Sequence, residues 1–209
     1  IIGWAYLVCS LVYLIIKDRL LLLIAVSLVF LSINIAAHSG YSIDLPVLDD
    51  ASSATLIMSG VITGIVYGRL AATNKYRLLW LLLLAISAAM ILAGFIVRPY
   101  AGGISKIMAT PAWVLICSGI SVLVFEIIIW LTDTQRKEKW FRIIRPAGTS
   151  TLTCYLIPYI LYAVYGLIGF RYPAFFNEGI GGIIRSLVIS LLVILLVGQM
   201  EKIRLKLKI

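Results

Sequence analysis

Thr151, Tyr155, Tyr159 and Tyr162 recur at i, i+4, i+8 and i+11 inside one apolar run, with Tyr165 at the edge of the same stripe. That spacing belongs to one face of a helix. A buried tyrosine hydroxyl needs a hydrogen-bond partner, so the stripe faces either an interhelical seam or a polar ligand cavity. Pro158, within the run, removes a backbone donor and frees the carbonyl of Cys154. A second face carries Ser27, Asn34 and His38 at i, i+7 and i+11. An imidazole suits general-base chemistry, yet no orienting partner is evident beside His38, and a satisfied interfacial histidine is the competing reading. Glu126 is the one acid well inside an apolar run, about one and a half turns from its end. A carboxylate in hydrocarbon is costly; Glu126 either serves a function there or snorkels toward the basic stretch that follows.

The segment RPYAGGISKIMATPAW holds Arg98 and Lys106, with Gly102 and Gly103 providing a turn. These cations bind an anionic or polar ligand, or they pair with Asp44, Asp49, Asp50 or Glu178. The segment TQRKEKWFRIIRPAGTS holds Arg136, Lys137, Lys139, Arg142 and Arg145. It suits anionic headgroups and equally the phosphates of a cofactor. Arg185 reads as a snorkelling residue. Gly60, Gly64 and Gly68, at four-residue spacing, favour close approach of another helix backbone, with a substrate path as the competing reading. Cys9, Cys117 and Cys154 lie in apolar runs without CxxC spacing, and with a single His no metal-ligand set is expected.

The elements that must position these groups follow from composition. Of 209 residues, 62% are apolar and 13% charged, and the mean hydropathy is +1.08. A soluble domain is about 45–50% apolar and about 25% charged, and a small globule cannot hide this much apolar surface. A water-soluble enzyme, a nucleic-acid-binding domain and a disordered chain are excluded. A bilayer core needs roughly 20 apolar residues per helix. Seven runs come near that length, at 1–16, 20–37, 54–70, 78–97, 112–131, 151–170 and 180–200. The expected fold is an all-α polytopic membrane helix bundle, one domain over 1–209 with seven transmembrane helices.

The charges give it a direction. Fourteen of the 18 Lys and Arg fall in alternate breaks and the tail, at 17–19, 69–77, 136–145 and 202–208. The intervening breaks hold only Arg98, Lys106 and Arg171, with Arg185 just inside the last run. By the positive-inside bias the chain begins outside and ends in the cytoplasm. Trp80, Trp113, Trp130 and Trp140 near run ends fit an aromatic belt. An opening Ile1 without Met or signal pattern reads as the start of a fragment of a longer protein.

In order along the chain, IIGWAYLVCSLVYLI, the glycine-spaced third run, GGISKIMATPAWVLICSGI and WLTDTQRKEKWFRIIRPAGTSTLTCYLIPY resemble a known family. It is the C-terminal half of the bacterial relatives of heparan-α-glucosaminide N-acetyltransferase, also called N-acetylglucosamine-transport-related inner-membrane proteins. Lys106, the TPAW at 110–113 and the G-T-x-T-L-T-C-Y run ending at Tyr155 carry the resemblance most sharply. It implies a multi-pass protein of the bacterial cytoplasmic (inner) membrane that passes an acetyl group from cytoplasmic acetyl-CoA to an amino sugar beyond the bilayer. The family's catalytic His belongs to a segment preceding Ile1, so no catalytic residue is expected in this chain. Expected substrate-binding residues are Lys106, Arg98, Tyr155, Tyr159, Tyr162 and Ser150, followed by His38, Asn34 and Glu126. The chain departs from the family at Ser105 and Ser150, where Asn is frequent. Two other readings stand beside this one: a transporter or uptake accessory for N-acetylglucosamine-type sugars, and a non-catalytic packing component that forms a homo-oligomer through its membrane helices. No internal repeat supports the transporter.

Overall fold

The structure is a computed structural model that describes residues 2–41, 47–137, 139–170 and 172–203. Among these every regular element is helical: α1 Ile2–Ile16, α2 Leu20–His38, α3 Ser52–Ala72, α4 Tyr76–Val97, α5 Pro111–Ile129, α6 Arg145–Thr149, α7 Thr151–Ile168 and α8 Gly179–Lys202. A π-helical turn, Trp130–Thr134, extends α5. Among the described residues six helices are long and apolar enough to cross a membrane: α2, α3, α4, α5 with its extension, α7 and α8. The run at 1–16 forms α1, whose 15 residues reach about 22 Å at helical rise, short of an apolar core of about 30 Å. The chain is a multi-pass helical membrane protein. It forms two compact units, Ile1–Thr134 and Gln135–Ile209.

In the first unit α4 and α5 are the tightest pair. A Cβ placed on Gly119 would lie 2.8 Å from the Ser87 carbonyl oxygen, and one on Gly94 would lie 3.0 Å from the Ala112 carbonyl oxygen. The Ser87 hydroxyl donates to the Gly119 carbonyl at 2.9 Å. Two small residues and one short hydroxyl thus let these backbones meet. The expected close approach at Gly60, Gly64 and Gly68 is not made among the described residues, where a Cβ on any of them would meet nothing within 4 Å. α1, α2 and α3 share a core of Ala5, Cys9, Leu23, Phe30, Ala54 and Met58. α5 starts where Thr110 is extended and Pro111 takes the first helical position, a place where a missing N–H costs nothing.

In the second unit α7 ends at Gly169 (φ 69°), whose N–H bonds the Tyr165 carbonyl. The left-handed conformation there suits glycine. The chain then folds over the start of α8, so that a Cβ on Gly182 would lie 3.2 Å from the Asn177 carbonyl oxygen. At the other end of α8, Glu201 Oε1 accepts hydrogen bonds from Thr149 (2.7 Å) and Ser150 (2.5 Å), fastening the start of α7 to the end of α8.

Candidate functional site

Residues 98–110 join α4 to α5 and are folded on themselves. Ser105 N–H donates to Thr110 Oγ1 at 3.0 Å, Thr110 N–H returns to the Ser105 carbonyl at 3.2 Å, and Gly103 N–H bonds the Arg98 carbonyl. The last residue of α2 holds this loop. His38 Nε2 lies 2.7 Å from the Met108 carbonyl oxygen and 3.8 Å from Asp50 Oδ2, and Nδ1 lies 2.9 Å from the Asn34 carbonyl oxygen. One turn earlier Asn34, fully buried, donates through Nδ2 to the Ala109 carbonyl at 3.4 Å, and its Oδ1 has no partner. Both imidazole nitrogens face acceptors. A neutral ring donates from only one nitrogen, so one of these two contacts is a hydrogen bond in either tautomer, with the Asp50 carboxylate nearby. His38 and Asn34 therefore act together, and the partner that orients His38 is Asp50, which no helical spacing connects to it.

Lys106 and Arg98 are exposed on this loop, and among the described residues neither makes an ion pair. Asp50 instead accepts the Ser52 N–H at 2.9 Å and sits beside His38. Asp44 and Arg171 lie outside the described residues.

Within the same unit a hydroxyl-lined crevice of about 500 Å³ separates α3 and α5. Ser59, Thr63, Ser118 and Ser121 line it, with Gly60 and Gly64 at its border and Ser59 Oγ 3.4 Å from Ser118 Oγ. Glu126, one helical turn past Val122 of this crevice, is 8% exposed, and its Oε2 has no hydrogen-bond partner. At the end of α3 the Tyr67 hydroxyl donates to Asp133 Oδ2 at 2.8 Å, tying α3 to the π-helical turn.

The tyrosine stripe of α7 divides. Tyr162 lines a cavity of about 680 Å³ between α7 and α8, together with Cys154, Pro158 and Tyr165 from α7 and Arg185, Ser186 and Ser190 from α8. That volume falls within the range of about 300–1,000 Å³ usual for ligand pockets. Tyr155 and Tyr159 do not line it; both are exposed, with hydroxyls 2.9 Å apart and ring centroids at 5.1 Å. Ser150, expected to touch substrate, spends its hydroxyl on Glu201.

Arg185, Tyr165 and Tyr172 were not legible as a set. The Arg185 guanidinium carbon stands 4.7 Å from the Tyr172 ring centroid, and Nη1 donates to Asn177 Oδ1. The Tyr172 hydroxyl donates to the Tyr165 hydroxyl at 3.1 Å, and this bond holds the Tyr172 phenol above its ordinary pKa, against a smaller opposing pull from Arg185. The available signal was Arg185, Ser186 and Ser190, polar residues clustered in the first half of an otherwise apolar helix. Arg142 and Arg145 border a shallow cleft of about 320 Å³ beside Phe141. Among the described residues no three His, Cys, Asp or Glu side chains are grouped to hold a metal ion. No protein-family model, curated protein or solved structure matches this chain.

Proposed function

We propose that the chain is the C-terminal half of a membrane-embedded acyltransferase that moves an acetyl group from cytoplasmic acetyl-CoA to an amino sugar on the far side of a bacterial cytoplasmic membrane. The reading starts from the resemblance carried by Lys106, the TPAW at 110–113 and the run ending at Tyr155. It takes α1 as a seventh crossing and, from the alternation of Lys and Arg, places the chain's start outside and its end in the cytoplasm. In that orientation the 98–110 loop faces outward and the Arg136–Arg145 stretch faces the cytoplasm.

One observation carries the proposal. His38 and Asn34 dock the 98–110 loop firmly, while the Lys106 ammonium, on that same loop, is left without an ionic partner among the described residues. A cation on a fixed support, with three free donors, is what a sugar's hydroxyl oxygens require. The Arg98 guanidinium supplies further donors on the same loop. In the stretch assigned to the cytoplasm by the charge alternation, Arg142 and Arg145 are exposed beside the Phe141 cleft, and their guanidinium groups fit the phosphates of a coenzyme. Acetyl-CoA would supply the activated acyl group. The residues of this chain would bind and orient at the two faces, and the family's catalytic His would come from elsewhere in the protein.

The test is transfer of labelled acetyl groups from acetyl-CoA to glucosamine by the full-length protein in proteoliposomes. Lys106→Ala should lower turnover while membrane expression stays at the wild-type level. Equal loss of both would make Lys106 structural and remove the support for a sugar site. Accumulation of sugar without acetylation would favour a transporter instead.

A further inference from the structure

The cavity between α7 and α8 has two chemically different ends. At one end stands Arg185, whose Nε is buried and without a hydrogen-bond partner. Its surroundings are Tyr172, stacked against the guanidinium, and Asn177, which takes up Nη1. Among the described residues no carboxylate lines the cavity. Tyr165, which accepts from Tyr172, has its own hydroxyl proton free of any described acceptor. Two donors, Arg185 Nε–H and Tyr165 O–H, thus flank Tyr172 with no anion between them. A guanidinium Nε–H buried without a hydrogen-bond partner is costly, and planar oxyanion recognition is what the group does best.

The other end is apolar. Ile189, Val193 and Ile194 of α8 continue the wall beyond Arg185, opposed by Pro158 and Cys154 of α7. From Arg185 to Ile194 this wall runs about 13 Å at helical rise. A free sugar or inorganic phosphate would leave that length unfilled.

We propose that this cavity binds an amphiphile: a phosphate-type oxyanion on Arg185 and Tyr165, with a single apolar chain laid along Ile189, Val193 and Ile194. The proposal does not rest on the acetyl-transfer reading.

The test uses the full-length protein, delipidated in an uncharged detergent, titrated calorimetrically with dodecyl phosphate, inorganic phosphate and dodecanol. Dodecyl phosphate should bind saturably and at least about tenfold more tightly than either of the others, since charge-assisted bonds and chain burial each contribute on that scale. Arg185→Gln should weaken dodecyl phosphate about tenfold or more, and Arg185→Lys should retain part of the affinity because the charge remains. Val193→Trp, which fills the apolar end, should weaken dodecyl phosphate and leave butyl phosphate unchanged. Size-exclusion profiles report whether each variant is folded; if Arg185→Gln is not, the comparison of Arg185→Lys with Val193→Trp decides. Inorganic phosphate binding as tightly as dodecyl phosphate would overturn the proposal. So would dodecanol matching dodecyl phosphate, or Arg185 variants binding like the wild type.

Discussion

Gly119→Ala is the sharpest perturbation that the helix packing offers. The added methyl would sit 2.8 Å from the Ser87 carbonyl oxygen and 2.7 Å from Ile91 Cγ1. Ile91 can turn away, but the carbonyl is backbone and cannot, so α4 and α5 must part. Overpacking of this kind costs about 1–3 kcal/mol. Parting also stretches the Ser87–Gly119 hydrogen bond, worth about 0.6 kcal/mol between membrane helices. The expected loss is about 2–4 kcal/mol, or a factor of roughly thirty to several hundred in the unfolding equilibrium. The matched control is Gly64→Ala, where the new methyl meets nothing within 4 Å and the helix gains a better former. Reversible unfolding in mixed micelles, by far-UV circular dichroism against denaturing detergent, measures both. A Gly119→Ala protein no less stable than Gly64→Ala would refute the packing argument, and with it the claim that α4 and α5 fix the ends of the Lys106 loop.

Other consequences are smaller or more local. Asn34→Ala leaves the Ala109 carbonyl without its donor; at about 1–2 kcal/mol for that bond, trypsin should cut at Lys106 several-fold faster, read by limited proteolysis. Glu201→Ala removes the acceptor shared by Thr149 and Ser150 and should cost about 1–3 kcal/mol in the same unfolding assay, with Glu201→Gln losing less. The Tyr172 phenol is raised by its bond to Tyr165, so the fold favours its protonated form. That contribution is whole below the ordinary phenol range and disappears as pH climbs through the raised value; Tyr165→Phe should bring the tyrosinate absorbance of Tyr172 in at lower pH.

The helices were legible because apolar run length and breaks are local properties. The runs at 54–70 and 180–200 became Ser52–Ala72 and Gly179–Lys202, and Pro111 and Gly169 mark a start and an end that their backbone preferences dictate. Glycine partners were not legible. Spacing puts Gly60, Gly64 and Gly68 on one face, yet spacing on one helix says nothing about whether a backbone approaches. In the first unit it is the isolated Gly94 and Gly119 against which backbone lies. Close packing needs smallness on both sides of a contact, and only the folded chain pairs Gly119 with Ser87.

The same distinction separates the two candidate sites. Around Lys106 the chemistry was visible, since cations in a loop where the charge bias disfavours them stand out, but the support was not: His38 reaches Met108 across 70 residues and stands 3.8 Å from Asp50. Around Arg185 the reverse holds. A single arginine near the start of an apolar helix looks like a snorkelling side chain, because sequence shows the cost of the charge and not its surroundings. The side chain does reach toward the N-terminal end of α8, with Tyr172 under the guanidinium and Asn177 on Nη1, and it keeps a buried Nε with no partner. An arginine held by an aromatic face and one amide, beside an apolar wall and without a carboxylate, is arranged for an anion that arrives with a hydrocarbon chain.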